Sequence, residues 1–188
     1  ARGGAPVGAA VATRLTESSA YAHLWRTPAL AEVFDERRRL QAWLDILVAL
    51  AAAQAEVGLI PAEAAERIAT HARADRLDLA FVAAETRRTG HSTLGLIRAL
   101  QQVLPEPATE YVYYGATVQD VTDTWFGLVM RDVGALVKDD LRRAHATLLR
   151  LAVAHRDTVM AGRTHGQPGA PITFGFKVAT WADELGRH

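Results

Sequence analysis

The chain has 188 residues, 49% hydrophobic and 22% charged, with 21 basic residues balancing 21 acidic ones. That length accommodates one or two domains, and zero net charge supplies no global field for nucleic acid or an anionic membrane. Cysteine is absent, which excludes disulfides and thiolate chemistry, and no run of about 18 apolar residues is present to span a bilayer. A cytoplasmic protein is the expectation.

Residues 1–27 are expected to be disordered or irregular. Ala1 to Thr13 is small and loosely apolar but lacks the charged start and strong apolar centre of a signal peptide. Asp35 is placed to cap a helix running to about Val57, with Leu40, Trp43, Leu44, Leu47 and Leu50 at helical spacing and Gly58 at its C′ position. Pro61 is expected at the first position of the next helix, whose apolar face is Ala64, Ile68 and Ala72. Asp78 caps a third over Leu79 to Arg88, closed by Gly90, and Ser92 caps a fourth over Thr93 to Val103. Pro105-Glu-Pro107 breaks the chain, and Tyr111 to Tyr114 is at most a small extended segment.

The dominant feature is Thr122 to His155. It contains no proline, and its apolar residues (Trp125, Leu128, Val129, Val133, Leu136, Val137, Leu141, Leu148, Leu151) recur at gaps of three and four. A run beyond about 25 residues points to a bundle or coiled coil, and at 1.5 Å per residue it extends on the order of 50 Å. Thr117 or Asp120 is its expected cap. Val159 to Pro171 reads as irregular, and Thr173 starts a last helix that is still running at His188. The expectation is all-α: a small helical domain over 28–110, then over 111–188 the first part of a long-helix bundle belonging to a longer protein.

Three polar segments can carry chemistry. Gly162-Arg-Thr-His165-Gly-Gln-Pro168 is rich in glycine and lies between helices, where function concentrates. His165 can move a proton near neutral pH, Thr164 and Gln167 can bond a carboxylate, and Lys177 falls in the first turns of the next helix. The competing reading is an ordinary connector with a solvated histidine. Tyr114-Gly-Ala-Thr117-Val118-Gln-Asp120 enters a helix N-terminus, where free N–H groups and the positive dipole end favour an anion; taken alone, the segment is better read as a well-capped structural helix, because such caps are common. Arg87-Arg-Thr-Gly-His91-Ser92 puts a histidine and a hydroxyl at a helix start, with two arginines behind that suit a phosphate or carboxylate. A glycine stop followed by a serine cap accounts for Gly90 and Ser92 but leaves His91 unexplained. No spacing of ligands for zinc or calcium occurs, nor a phosphate-cradling glycine loop.

In this order the segments resemble the fumarase/aspartase superfamily, in its adenylosuccinate lyase and carboxymuconate cycloisomerase branch. The matching blocks are Gln54-Ala-Glu-Val-Gly-Leu-Ile-Pro61, Thr89-Gly-His91, Gly115-Ala-Thr-Val-Gln-Asp-Val-Thr-Asp-Thr124, and Gly162-Arg-Thr-His-Gly-Gln-Pro168 with Thr173-Phe-Gly-Phe-Lys177. The resemblance implies an all-α fold, a central bundle that assembles a homotetramer, and active sites drawn from three subunits. It also implies β-elimination of a fumarate-type product from a succinyl substrate, with no metal and no organic cofactor. His165 matches the histidine that acts as general acid or stabilises the departing group, and Thr117 a ligand of a substrate carboxylate. His91 matches the histidine beside the leaving-group part. Ser92, Val118, Thr164, Gln167 and Lys177 match positions lining the site.

The chain also departs from the pattern. Val118 stands where the family usually has serine, which removes a hydroxyl donor. Ser92 stands where adenylosuccinate lyases usually have aspartate, which weakens a purine-nucleotide substrate. The serine-bearing loop that supplies the general base is expected beyond residue 188, so this chain alone is expected to be inactive. Thr164-His165 favours a lyase over a cycloisomerase. The expected function is a carbon–nitrogen lyase, adenylosuccinate lyase-like, releasing fumarate or a fumarate-like product from a succinyl-type substrate. The alternatives are the cycloisomerase and a catalytically incompetent assembly fragment.

Overall fold

The structure is a computed structural model that describes residues 14–188. Of the segment 1–27, residues 1–13 lie outside the described residues. The remainder holds two exposed 3-10 turns, Leu15–Glu17 and Ala22–Leu24. Among the described residues eight α-helices follow: α1 (Pro28–Val33), α2 (Glu36–Glu56), α3 (Ala62–His71), α4 (Leu79–Thr89), α5 (Leu94–Val103), α6 (Ala108–Tyr111), α7 (Val118–Ala154) and α8 (Phe174–Arg187). Between α7 and α8 lies one two-stranded antiparallel sheet, β1 (Val159–Thr164) and β2 (Gln167–Thr173). The fold is therefore all-α with a single hairpin. No helix among the described residues is long and apolar enough to cross a membrane.

The chain divides into two compact units, one ending at Asp132 and one over Val133–His188. In the first, α2 to α6 and the start of α7 surround one core. Leu44, Ile68, Leu96 and Leu100 are fully buried, and each fully buried large aliphatic side chain contributes about 1.5–3 kcal/mol. Trp43 of α2 meets Trp125 of α7 edge to face, ring centroids 6.1 Å apart, a preferred aromatic geometry. Gln41 fastens the α3 exit to α2: its Nε2 donates to the Ala72 carbonyl at 3.1 Å and its Oε1 accepts from the Ala74 N–H at 2.9 Å. Gly95 lets α5 lie against α4, since a Cβ there would stand 2.6 Å from the Val82 carbonyl oxygen.

Several caps match their residues. The Asp35 carboxylate accepts from the Arg38 N–H at 3.0 Å, and that of Asp78 accepts from Ala80 and Phe81. Gly58 and Gly90 both have positive φ, 73° and 65°, as helix-stopping glycines do. Three expectations fail locally. Pro61 is the N-cap of α3, with extended backbone (ψ 138°), one position before the helix proper. Ser92 does not cap α5, which begins at Leu94 after Thr93. Tyr111 to Tyr114 is not extended: α6 ends at Tyr111, and Tyr113 turns the chain at φ 64°.

In the second unit the expected irregular segment Val159 to Pro171 is a β-hairpin. Its signal is weak in the sequence because Pro168 and Pro171 stand in β2, and proline within an apolar run argues against a strand. A two-stranded sheet has only edge strands, so both prolines are tolerated. Gly162 sits at the irregularity between Ala161 and Arg163, where a Cβ would approach the Ala170 carbonyl oxygen to 2.8 Å. The hairpin base is anchored to the end of α7. Phe174 N–H donates to the Thr158 carbonyl at 2.8 Å, Gly175 N–H to that of His155 at 2.9 Å, and the His155 and Phe174 rings meet edge to face.

Candidate active site

His165 sits at the tip of the hairpin. Thr164 and Gln167 pair across β1 and β2, so the loop between them is only His165-Gly166. Both loop residues have positive φ, 49° and 76°, which is the backbone of the two-residue turn whose twist suits a hairpin. Glycine supplies one such position freely. A histidine in the left-handed region costs about 1–2 kcal/mol, and such strain gathers at functional positions. Thr164 and Gln167, opposed across the two strands, project to the same face of the hairpin on either side of the histidine. All three side chains are exposed. Lys177 lies in the first turn of α8, also exposed, with Nζ 5.3 Å from the Trp181 ring centroid. Thr173 caps that helix by accepting from the Phe176 N–H at 3.1 Å.

Thr117 and Val118 open α7 in the first unit. The approach is tied to α2: buried Gln54 donates from Nε2 to the Tyr114 carbonyl at 2.7 Å, and Gly115 follows at φ 68°. Of the two expected caps, Asp120 engages. Its Oδ2 accepts from the Thr117 N–H at 2.8 Å, while its own N–H donates to the Thr117 carbonyl at 3.1 Å. The Thr117 side chain remains exposed, and the N–H groups of Val118 and Gln119 have no acceptor within the helix. A ligand carboxylate can use those two donors, though it shares the positive helix end with the Asp120 carboxylate.

His91 and Ser92 lie between α4 and α5. His91 is half-buried and Ser92 exposed. The two arginines behind them differ sharply. Arg88 is engaged: its Nε and a terminal nitrogen donate to the two carboxylate oxygens of Glu85, each at 2.8 Å. Arg98 of α5 donates to Glu85 as well. The Arg88 guanidinium first, then that of Arg98, holds the Glu85 carboxyl down at about 2. Arg87 makes no ion pair among the described residues. It lines a cleft of about 510 Å³ with Glu36, Arg39, Leu40 and Trp43 of α2 and with Ser92, and Arg39 stacks over the Trp43 ring at 5.7 Å. Spacing in the sequence does not distinguish Arg87 from Arg88, nor does it bring Arg39 and Ser92 to one cleft; only the tertiary structure does. Among the described residues no cluster of three or more His, Cys, Asp or Glu forms a metal site.

The hairpin tip and Lys177 thus belong to one unit and His91, Ser92, Thr117 and Val118 to the other. A family described as lyase matches residues 24–188. The N-acetyl-S-(2-succino)cysteine lyase of Dickeya dadantii is 43% identical over 162 residues, 86% of this chain and 36% of that protein. The adenylosuccinate lyase of Methanothermobacter thermautotrophicus is 42% identical over the same shares of the two chains. The crystal structure of a β-carboxy-cis,cis-muconate cycloisomerase from Acinetobacter calcoaceticus superposes with a TM-score of 0.85 at 36% identity, covering 89% of this chain and 40% of that one. The chain spans a little over a third of the length of the curated relatives it matches. It belongs to the fumarase/aspartase superfamily of lyases.

Proposed function

We propose that this chain carries part of the active site of a lyase that breaks a carbon–nitrogen bond by β-elimination, from a succinyl-type substrate, with release of fumarate or a fumarate-like product. The hairpin tip carries the reading: a histidine held in left-handed backbone between two residues able to bond a carboxylate. A base removes the proton beside a substrate carboxylate, and the electrons of that C–H bond become the new C=C bond. The C–N pair leaves with nitrogen, which takes a proton from His165. An amine leaves poorly as an anion, so this proton decides the rate. Thr164, Gln167, Thr117 with the α7 start, and Lys177 bind carboxylates, and His91 with Ser92 faces the leaving group. The general base comes from none of the residues assigned here, and no metal or organic cofactor takes part.

A carbon–sulfur substrate is the second reading, favoured by the 43% identity to a lyase named for a succinylated cysteine. The elimination is the same, with a thiol departing. The likeness to a cycloisomerase supports an intramolecular version of this chemistry. Exposed apolar side chains along α7, among them Phe126, Met130, Leu149 and Val153, support assembly into a homotetramer that completes each site from several copies. The test is a screen of N-succinyl and S-succinyl compounds and a carboxymuconate, using protein of the relatives' full length and following fumarate release or lactone formation. Fumarate from an N-succinyl compound is the expected result. Turnover of the carboxymuconate alone would replace this reading with the cycloisomerase, and no turnover of any would leave an assembly module.

A further inference from the structure

Leu40, Leu44, Leu47 and Ala51 line the buried face of α2, and the next position on that face is a glutamine. Gln54 is 8% exposed. Its Nε2 donates to the Tyr114 carbonyl at 2.7 Å, while its Oε1 is buried without a partner. A buried acceptor left unpaired is costly, so for stability alone an apolar side chain of similar length would serve at least as well. The base of the side chain is fixed: the Gln54 carbonyl accepts from the Leu59 N–H at 2.8 Å, where Gly58 turns the chain at φ 73°. What the amide grips is a strained turn. Tyr113 has φ 64° and Gly115 φ 68°, and left-handed backbone is unfavourable for a residue with a Cβ. The turn's own bonds are local: Tyr114 N–H donates to the Tyr111 carbonyl at 3.3 Å and Ala116 N–H to that of Tyr113 at 3.2 Å. Among the described residues the Gln54 bond is the one hydrogen bond that ties residues 113–116 to a distant part of the chain.

We propose that Gln54 is a positioning residue for the carboxylate site at the start of α7: by gripping the Tyr114 carbonyl from the fixed end of α2, it sets where Thr117 and the free N–H groups of Val118 and Gln119 stand. The proposal rests on the function proposed above. A carboxylate held there must meet the Thr117 hydroxyl and those N–H groups together. Good N–H···O bonds occupy a narrow range of distance, so a shift of the turn by about half an ångström takes donors out of reach. Gln54 acts through the backbone of Tyr114 and not on the substrate. Its unpaired Oε1 is a loss of stability accepted for that hold.

Gln54→Met keeps the length and apolar stem of the side chain but removes the donor together with the unpaired acceptor. In protein of the relatives' full length its Tm is expected to stay near that of the unmodified protein, while KM for an N-succinyl substrate rises about tenfold, the scale of one lost hydrogen bond. Gln54→Glu makes the grip conditional. Protonated, the carboxyl donates to the Tyr114 carbonyl as the amide does; ionised, it only repels that oxygen. Burial raises the pKa of a carboxyl. Relative to the unmodified protein at the same pH, KM of Gln54→Glu is therefore expected to lie below that of Gln54→Met at about pH 5 and to reach or pass it by about pH 8. A glutamine that served stability alone would move Tm and leave the KM of folded protein as it was, so an unchanged KM for Gln54→Met would overturn the positioning role. A KM for Gln54→Glu above that of Gln54→Met at both pH values would overturn the donor. If the unmodified protein releases fumarate from no succinyl compound, the function proposed above falls and the substrate role with it. Amide hydrogen exchange at Ala116 and Thr117, expected to quicken in Gln54→Met, still decides whether Gln54 holds the turn, and unchanged exchange would overturn that hold.

Discussion

The backbone at the hairpin tip determines how the role of His165 should be tested. Glutamine is the usual replacement for a catalytic histidine, but at φ 49° it bears the same left-handed cost as histidine, about 1–2 kcal/mol. Asparagine tolerates this region better because its short polar side chain bonds locally. His165→Asn therefore removes the imidazole while leaving the turn at least as stable, and Tm should not fall. If His165 protonates departing nitrogen, kcat for an N-succinyl substrate should drop about 10²–10⁴-fold, the range for losing a general acid, or about 2.7–5.4 kcal/mol. A thiol has an unperturbed pKa of about 8.5, so it departs as thiolate with far less help. The matched S-succinyl substrate should lose much less kcat. Steady-state kinetics of both substrates on protein of the relatives' full length, with a thermal melt of the same samples, is the assay. Equal kcat losses on both substrates would refute the acid role. A rise in KM with kcat spared for both would make His165 a binding residue, and a fall in Tm would refute the account of the turn.

Gly175→Ala should destabilise the second unit. The new Cβ would lie 2.5 Å from the Ala152 carbonyl oxygen and 2.7 Å from Arg156 Cα, both backbone atoms, and overpacking of this kind costs about 1–3 kcal/mol; an unchanged Tm would count against the close seat of α8 on the end of α7. Glu85→Gln should lower stability near neutral pH by releasing Arg88 and Arg98. Because the Glu85 carboxyl is held at about 2 against an ordinary 4.5, its stabilisation is present above 4.5 and fades as pH falls through that window. Melts of the two proteins should therefore converge toward pH 2, and a constant gap would contradict the ion-pair account. Self-association should be visible by light scattering at micromolar concentration, since Phe126, Met130, Leu149 and Val153 on α7 are about half or more exposed; a monomeric mass for protein of full length would argue against it.

Much of the helical frame was legible because its signals are local. Asp35 and Asp78 each stand one residue before an apolar period and cap it through their own carboxylates. Gly58 and Gly90 stop helices for a reason contained in glycine itself, the absence of a Cβ at positive φ. The long helix was legible from uninterrupted three-and-four spacing without proline. The family blocks pointed to His91, Thr117 and His165 by residue type alone.

Tertiary structure decided what depends on partners distant in the chain. The hairpin was not legible because β pairing joins Val159 to Thr173 across the turn, and its own residues, with two prolines and three glycines from Gly162 to Pro171, argue locally against strands. Once paired, that same turn forces His165 into left-handed backbone. The cap of α5 was misread because serine is the commoner cap and stands beside the histidine that performs it. The His91 ring brings Nδ1, rather than the Ser92 hydroxyl, to the free N–H groups of Leu94 and Thr93, at 3.1 and 3.3 Å. Arg87 and Arg88 are indistinguishable as neighbours in sequence. They part only because Glu85 lies on the Arg88 side of α4, bound by Arg98 from α5, while Arg87, with no ion pair among the described residues, lines the cleft with Ser92. Residue type and periodicity act over a turn or two of chain, whereas pairing, ring orientation and charge assignment are set by which surfaces meet.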